Sequence, residues 1–134
     1  MSYKFGRRSQ KNLSEAHPLL IELFNEVIKI RDCAVIEGHR DKFEQDRLFH
    51  AGKSKLKWPK SKHNSFPSMA VDVIPYPVHW TNYRAFYHFA GIVKGVAHGM
   101  GLQIRWGGDW DSDNQFTDQS FHDLPHFELI GGYK

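Results

Sequence analysis

The run Met69–Tyr76, MAVDVIPY, constrains this chain's fold more than any other stretch. Its β-branched residues mark a strand, and Pro75 and Pro77 close it. Alternation places Ala70, Asp72 and Ile74 on one face and Val71 and Val73 on the other. A carboxylate in an otherwise apolar strand is expensive to bury without compensation. Asp72 therefore calls for a cation, either a metal ion or a guanidinium such as Arg40 or Arg105, and spacing alone leaves both open.

Three further runs read as strands. CAVIE (33–37) is short and apolar and leads into Gly38-His39-Arg40. Leu102, Ile104 and Trp106 alternate, and HFELI (126–130) sets His126 and Glu128 opposite Phe127 and Leu129. Helical spacing of Leu20, Leu23, Phe24, Val27 and Ile30 predicts an amphipathic helix over 14–30, with Ser14 as N-cap and Pro18 in the first turn. Residues 41–50 read as helical, and 51–62, with Gly52 and Pro59, as a loop. The strongest helix runs from Asn82 to Met100, with Phe86, Phe89, Ala90, Val93, Ala97 and Met100 on one face. Gly91, Gly95 and Gly99 recur every four residues, a pattern that lets another element approach closely. Helices and strands mix without regular alternation, so the class is α+β: a small domain with a central, mainly antiparallel sheet flanked by helices. At 134 residues the chain fits one domain.

Composition narrows the chemistry. Cys33 is the only cysteine, which excludes an internal disulfide framework and a cysteine-rich zinc cage. Its place in an apolar run reads as a buried structural thiol. Any metal site must use His and carboxylates. The N-terminus, MSYKFGRRSQKNL, is charged and lacks a signal peptide's apolar stretch, and no window approaches the ~20 apolar residues of a membrane span. The expectation is a soluble product made in the cytoplasm, without membrane insertion. Net charge is only +3, but Lys53, Lys55, Lys57, Lys60 and Lys62 lie together without an acid, while Asp109, Asp111, Asp113, Asp118, Asp123 and Glu128 lie together without Lys or Arg. The lysine run reads either as a solvated loop or as an attractor of an anionic polymer.

Two of the nine histidines have a telling context. His63 follows Ser61-Lys62 shortly before the Asp72 strand, and His126 opens the last strand three residues after Asp123. A hydrolytic zinc site takes three protein ligands and keeps one position open for water. Two neutral imidazoles and one carboxylate leave such a metal net positive. Asp123, in the spacing Asp-x-x-His, falls near a metal-binding His without being a ligand, where a general base belongs; alone it would read as a surface loop aspartate.

Taken in order, Gly38-His39-Arg40, Ser61-Lys62-His63, Ala70-Val71-Asp72 and Asp123-Leu124-Pro125-His126 resemble the D-Ala-D-Ala carboxypeptidase and L-alanyl-D-glutamate endopeptidase family. These are peptidoglycan zinc metallopeptidases with a hedgehog-like fold, and the pattern is most similar to small phage endolysins. The likeness spans nearly the whole chain, including Tyr3-Lys4-Phe5-Gly6 and Trp106-Gly107-Gly108-Asp109-Trp110. It implies one catalytic zinc ion held by His63, Asp72 and His126, a catalytic base at Asp123, oxyanion stabilisation by Arg40 and a substrate contact at Ser61. It also implies a single catalytic domain over 1–134 with no separate wall-binding module, cleaving the L-Ala–D-Glu bond of the stem peptide. As an endolysin the protein would act on the wall after release through a holin-made pore, as a monomer. Two departures stand out. Asn64 to Val71 make a longer interval between the first His and the Asp than the family usually has, and Asp123 stands where many relatives carry Glu.

Other readings remain at this level. D-Ala-D-Ala carboxypeptidase activity fits the same motifs. The lysine run with Lys62-His63-Asn64 suggests a His-metal nuclease, although its aromatics do not punctuate the basic stretch as stacking platforms would. A non-catalytic wall-binding module on the same fold is a third. The loop Asp109-Trp110-Asp111-Ser112-Asp113-Asn114 offers alternating oxygens to a calcium ion but lacks the Gly and Glu of an EF-hand, so a solvated loop is the preferred reading. Trp106 and Trp110 suit either core packing or a substrate groove.

Overall fold

A computed structural model describes residues 3–112 and 123–131. Helices α1 (Arg7–Ser14), α2 (Pro18–Ile30), α3 (Lys42–His50) and α4 (Tyr83–Gly99) and strands β1 (Cys33–Glu37), β2 (Ala70–Pro75), β3 (Gln103–Gly107) and β4 (Asp123–Gly131) follow in the order α1-α2-β1-α3-β2-α4-β3-β4. The strands form one sheet in the order β1-β2-β4-β3, every neighbouring pair antiparallel. The α+β class and the antiparallel sheet are those expected. The last strand inserts between β2 and β3, which carries the C-terminal motif to the middle of the sheet beside Asp72.

Side-chain alternation gives the sheet two unlike faces. Val71 and Val73 of β2 and Phe127 and Leu129 of β4 join Leu20, Phe24, Val27, Phe89 and Val93 in the core, all nearly inaccessible to solvent. Phe127 meets Phe24 and Phe89 edge-on, at ring separations of 5.7 and 5.9 Å. Each such side chain contributes about 1.5–3 kcal/mol on burial. With the apolar side chains committed to this face, the opposite face is left for Asp72, His126 and Glu128.

The N-terminal region departs from expectation. The helix expected over 14–30 starts at Pro18, because proline lacks an N–H and disfavours helical backbone at the residue before it, and a further helix, α1, precedes it. Ser14 ends α1, and His17 caps α2, its Nδ1 accepting from Leu19 N at 3.1 Å, with Pro18 in the first turn as predicted. Ile28, not Ile30, completes the buried stripe; Ile30 is 59% exposed. α1 left little sequence signal because Ser9 and Leu13 are the side chains it buries. It works through polar contacts, Ser9 Oγ accepting from Val35 N at 3.0 Å and Asn12 Nδ2 donating to Val35 O at 2.9 Å, which occupies the outer edge of β1. Gly38 sits where any Cβ would overlap the carbonyl of Asn12.

α4 matches its expected span, with the Asn82 side chain accepting from Ala85 N as N-cap. Its glycines do not have the role expected of them. Gly91, Gly95 and Gly99 are exposed, and among the described residues a Cβ on any of them would meet nothing within 4 Å, so no described element packs closely there. β4 begins at Asp123 rather than His126. Gly107 of β3 lies so close to Asp123 that a side chain on it would strike that residue's backbone.

Candidate metal centre

The β2–β4 register places Asp72 directly opposite His126, and Ala70 opposite Glu128. Opposed residues of an antiparallel pair share a face. His63 arrives from the loop before β2, which is docked by Arg40 N donating to His63 O at 2.8 Å and Met69 N to Lys62 O at 2.9 Å. The extra residues of this interval bulge outward, Phe66 being 71% exposed, and leave the convergence intact. His63 Nε2 lies 3.2 Å and His126 Nδ1 3.5 Å from Asp72 Oδ1. One donor atom from each of the three residues falls within 4.8 Å of the other two, the geometry of a three-ligand site.

The far side of each imidazole tests whether a cation belongs here. His63 Nδ1 is 2.7 Å from the carbonyl of Gly38, which only accepts, so that nitrogen carries the proton. His126 Nε2 is 2.8 Å from Glu128 Oε1 and donates likewise. In the neutral rings, His63 Nε2 and His126 Nδ1 then turn lone pairs toward the Asp72 carboxylate, an arrangement that repels unless a cation lies between. Without a metal, a second proton on His126 relieves the repulsion at that ring only, and protonating His63 as well would set two buried imidazolium ions against each other, their centroids 5.2 Å apart. A metal ion removes both conflicts. Such hydrogen bonds to the non-ligating nitrogen are also what fixes the orientation of metal-binding histidines.

The electrostatics of the metal-free cluster agree. Burial alone would raise the pKa of Asp72, but the two imidazoles outweigh it and hold the carboxyl well below the usual range. Burial alone would lower His126, but hydrogen bonds to Asp72 and Glu128 push it up to about 9. For Glu128, burial is outweighed by hydrogen bonds from His126 and Arg105, and its carboxyl is lowered.

Asp123 sits at the start of β4 with Oδ2 3.9 Å from His126 Nδ1, beside the three-residue cluster and not in it. Burial first, and then the Asp72 charge, raise its pKa against the pull of His126, His63 and Arg40. Arg40 follows β1. It is ion-paired with Glu37 and donates from Nη1 to Gln45 Oε1 at 2.9 Å. Its Nη2 lies 3.9 Å from Asp72 Oδ2, so Arg40 does neighbour Asp72, as one sequence reading proposed. Arg105, the other candidate, pairs instead with Glu128 at 2.8 Å. Ser61 is buried on the wall of the cleft, its Oγ accepting from His63 N at 3.3 Å.

Sequence reading passed over two side chains. Glu128 bridges His126 and Arg105; its place on the face of His126 was visible in the two-residue spacing, but nothing there gave it a role. Gln45 is fully buried, and its Oε1 also accepts from Asn64 Nδ2 at 3.2 Å, while its Nε2 donates to Ser54 Oγ at 2.9 Å and Leu56 O at 2.6 Å. It is the buried residue of α3, where apolar patterning offers no signal.

These groups surround a cleft of about 250 Å³ whose walls include Arg40, Ser61, His63, Trp110, Asp123 and His126. The two tryptophans divide their roles: Trp106 is buried in the core, and Trp110 lies 5.2 Å ring to ring from His126. In the acidic loop, buried Asp109 faces Lys94 Nζ at 3.5 Å, while Asp113 and Asn114 fall outside the described residues. Cys33 is buried, and burial pushes its thiol up to about 12, as an inert structural cysteine requires. No helix among the described residues is long and apolar enough to cross a membrane.

Comparison with known proteins matches residues 1–130 to the family described as phage L-alanyl-D-glutamate peptidase. The chain is 28% identical over 139 aligned positions to the L-alanyl-D-glutamate peptidase of Escherichia phage T5, covering 97% of this chain and 100% of that one. Among solved structures, it is similar to the crystal structure of the Serratia marcescens L-Ala D-Glu endopeptidase ChiX, with a TM-score of 0.76 and 28% identity over 95% of this chain and 90% of that one. With the matched region spanning almost the entire sequence, the chain belongs to the phage L-alanyl-D-glutamate peptidase family.

Proposed function

We propose that this protein is a zinc-dependent endopeptidase that hydrolyses the L-Ala–D-Glu bond of peptidoglycan stem peptides, serving as a phage endolysin. The carrying observation is the convergence of His63 Nε2, Asp72 Oδ1 and His126 Nδ1 with both far-side nitrogens already engaged by acceptors. Two imidazoles and a carboxylate form a donor set that suits zinc, and the family membership points to the same chemistry. When bound there, zinc supplies Lewis acidity toward a carbonyl and toward water.

The chain's own groups divide the remaining work. Asp123, outside the ligand set and raised in pKa by burial, accepts a proton from the attacking water at its carboxylate and returns it to the leaving amine. Arg40, braced by Glu37 and Gln45, presents guanidinium N–H groups toward the oxygen that gains charge in the tetrahedral transition state. Ser61 contacts substrate from the cleft wall. Gly38 and Glu128 hold the two rings in the tautomers that ligation needs. Release from the host through a holin pore, and action as a monomer, complete the proposal.

The test removes the metal and restores it. Protein stripped by a chelator should lose activity on purified peptidoglycan and regain it with one equivalent of zinc per chain. Full activity in the stripped protein would overturn the metal assignment.

A further inference from the structure

Lys53 and Lys62 belong to the stretch that reads from sequence either as a solvated loop or as an attractor of an anionic polymer. The structure holds both near the catalytic groups. Lys53 N donates to Leu48 O at 2.9 Å, and the neighbouring Ser54 and Leu56 are tied to Gln45, the same side chain that braces Arg40. At the other end, Lys62 O accepts from Met69 N, and Ser61 N donates to Asn64 Oδ1 at 3.0 Å. Both lysines line the cleft that holds His63, Asp123 and His126.

The charges nearby leave these ammonium groups available. Lys11, Lys29, Lys42 and Lys94 each have an acidic partner within 4 Å. Among the described residues, no acid stands at that distance from Lys53 or Lys62. Of the two acids that line the cleft, Glu128 is committed to His126 and Arg105, and Asp123 lies beside His126, its Oδ2 3.9 Å from Nδ1. Arg40 is already paired with Glu37.

The substrate supplies the missing charge. In an L-Ala–D-Glu link the amino group of glutamate forms the scissile bond, and one carboxyl continues the peptide. The other carboxylate remains free on the leaving residue itself, so it must enter or border the cleft. We propose that Lys53 and Lys62 form a carboxylate-binding subsite that selects substrates whose leaving glutamyl residue is unamidated. The inference rests on the peptidase reading above. Because the ammonium groups stay in contact with water, the discrimination is modest, about fivefold, and screened by salt.

The experiment compares kcat/KM on two synthetic peptides, L-Ala-D-Glu-L-Lys with the glutamyl residue's second carboxylate free, and the same peptide with that carboxylate converted to a carboxamide. Wild type should favour the acid about fivefold at low ionic strength, with the preference shrinking in 0.5 M salt. In Lys53→Gln/Lys62→Gln the ratio should fall to about one, and in Lys53→Glu/Lys62→Glu it should invert. A wild-type ratio near one, or a preference that survives both double variants, overturns the subsite. If neither peptide and no intact peptidoglycan is cleaved, the peptidase reading itself fails and the subsite falls with it. Matching thermal midpoints of the variants separate loss of recognition from loss of fold.

Discussion

Glu128→Gln isolates the support behind one ligand. In the native protein Oε1 takes the proton of His126 Nε2 at 2.8 Å, and Oε2 takes those of Arg105 Nη2 at 2.8 Å and Nε at 3.2 Å. Glutamine keeps the shape but offers one acceptor oxygen. If that oxygen faces Arg105, the amide N–H meets the N–H of His126; the ring must then turn or move its proton to Nδ1, the atom that ligation needs. If it faces His126, the Arg105 guanidinium loses its carboxylate, but Arg105 is partly exposed and can turn to water. The second arrangement should prevail, with a neutral acceptor behind His126 in place of a charged one. Exchanging a charge-assisted hydrogen bond for a neutral one forfeits about 1–1.5 kcal/mol, which corresponds to a zinc affinity lowered roughly 5- to 10-fold, at the low end of what changing such supporting partners costs. Competition against a fluorescent zinc chelator reads the dissociation constant directly. An affinity within twofold of wild type would refute the claim that Glu128 orients His126. Arg105→Ala, which leaves the carboxylate in place, should cost less.

Three further outcomes follow from the same geometry. Asp123→Asn should retain zinc and lose turnover by roughly 10²–10⁴-fold; undiminished hydrolysis would remove Asp123 as the base. Zinc affinity should rise with pH, because His126 in the metal-free protein holds its proton up to about pH 9 and the metal must displace it. Apparent affinity should therefore climb about tenfold per pH unit from neutrality toward pH 9 and level off above, with calorimetry in buffers of different ionisation enthalpy counting the released proton. Gly38→Ala should destabilise the fold by about 1–3 kcal/mol in urea and weaken zinc binding, because the added Cβ strikes the Asn12 carbonyl and displaces the oxygen that orients His63.

How much was legible in the sequence depended on how each element is stabilised. β2 and α4 bury continuous apolar faces, and their spans were readable to within a residue. α1 was invisible because it docks onto β1 through Ser9 and Asn12 rather than an apolar stripe. The exposed glycines of α4 show that a regular spacing reports a face but not what covers it. His63, Asp72, Asp123 and His126 were readable as a pattern, since each needs a particular side chain at a particular place in the chain. Glu128, Gln45 and the Gly38 carbonyl were not, because their value lies in contacts across the fold. Arg40 and Arg105 could not be told apart as neighbours of Asp72 for the same reason: the β3–β4 register, which sets Arg105 opposite Glu128, is what separates them.

The most direct test of the central claim is mass spectrometry of purified peptidoglycan digested by this protein, with and without a zinc chelator. The account predicts fragments with a new free amino terminus on D-Glu that vanish when the metal is removed. Cleavage at another bond, the same fragments in the presence of chelator, or no fragments from several wall types despite bound zinc would contradict it.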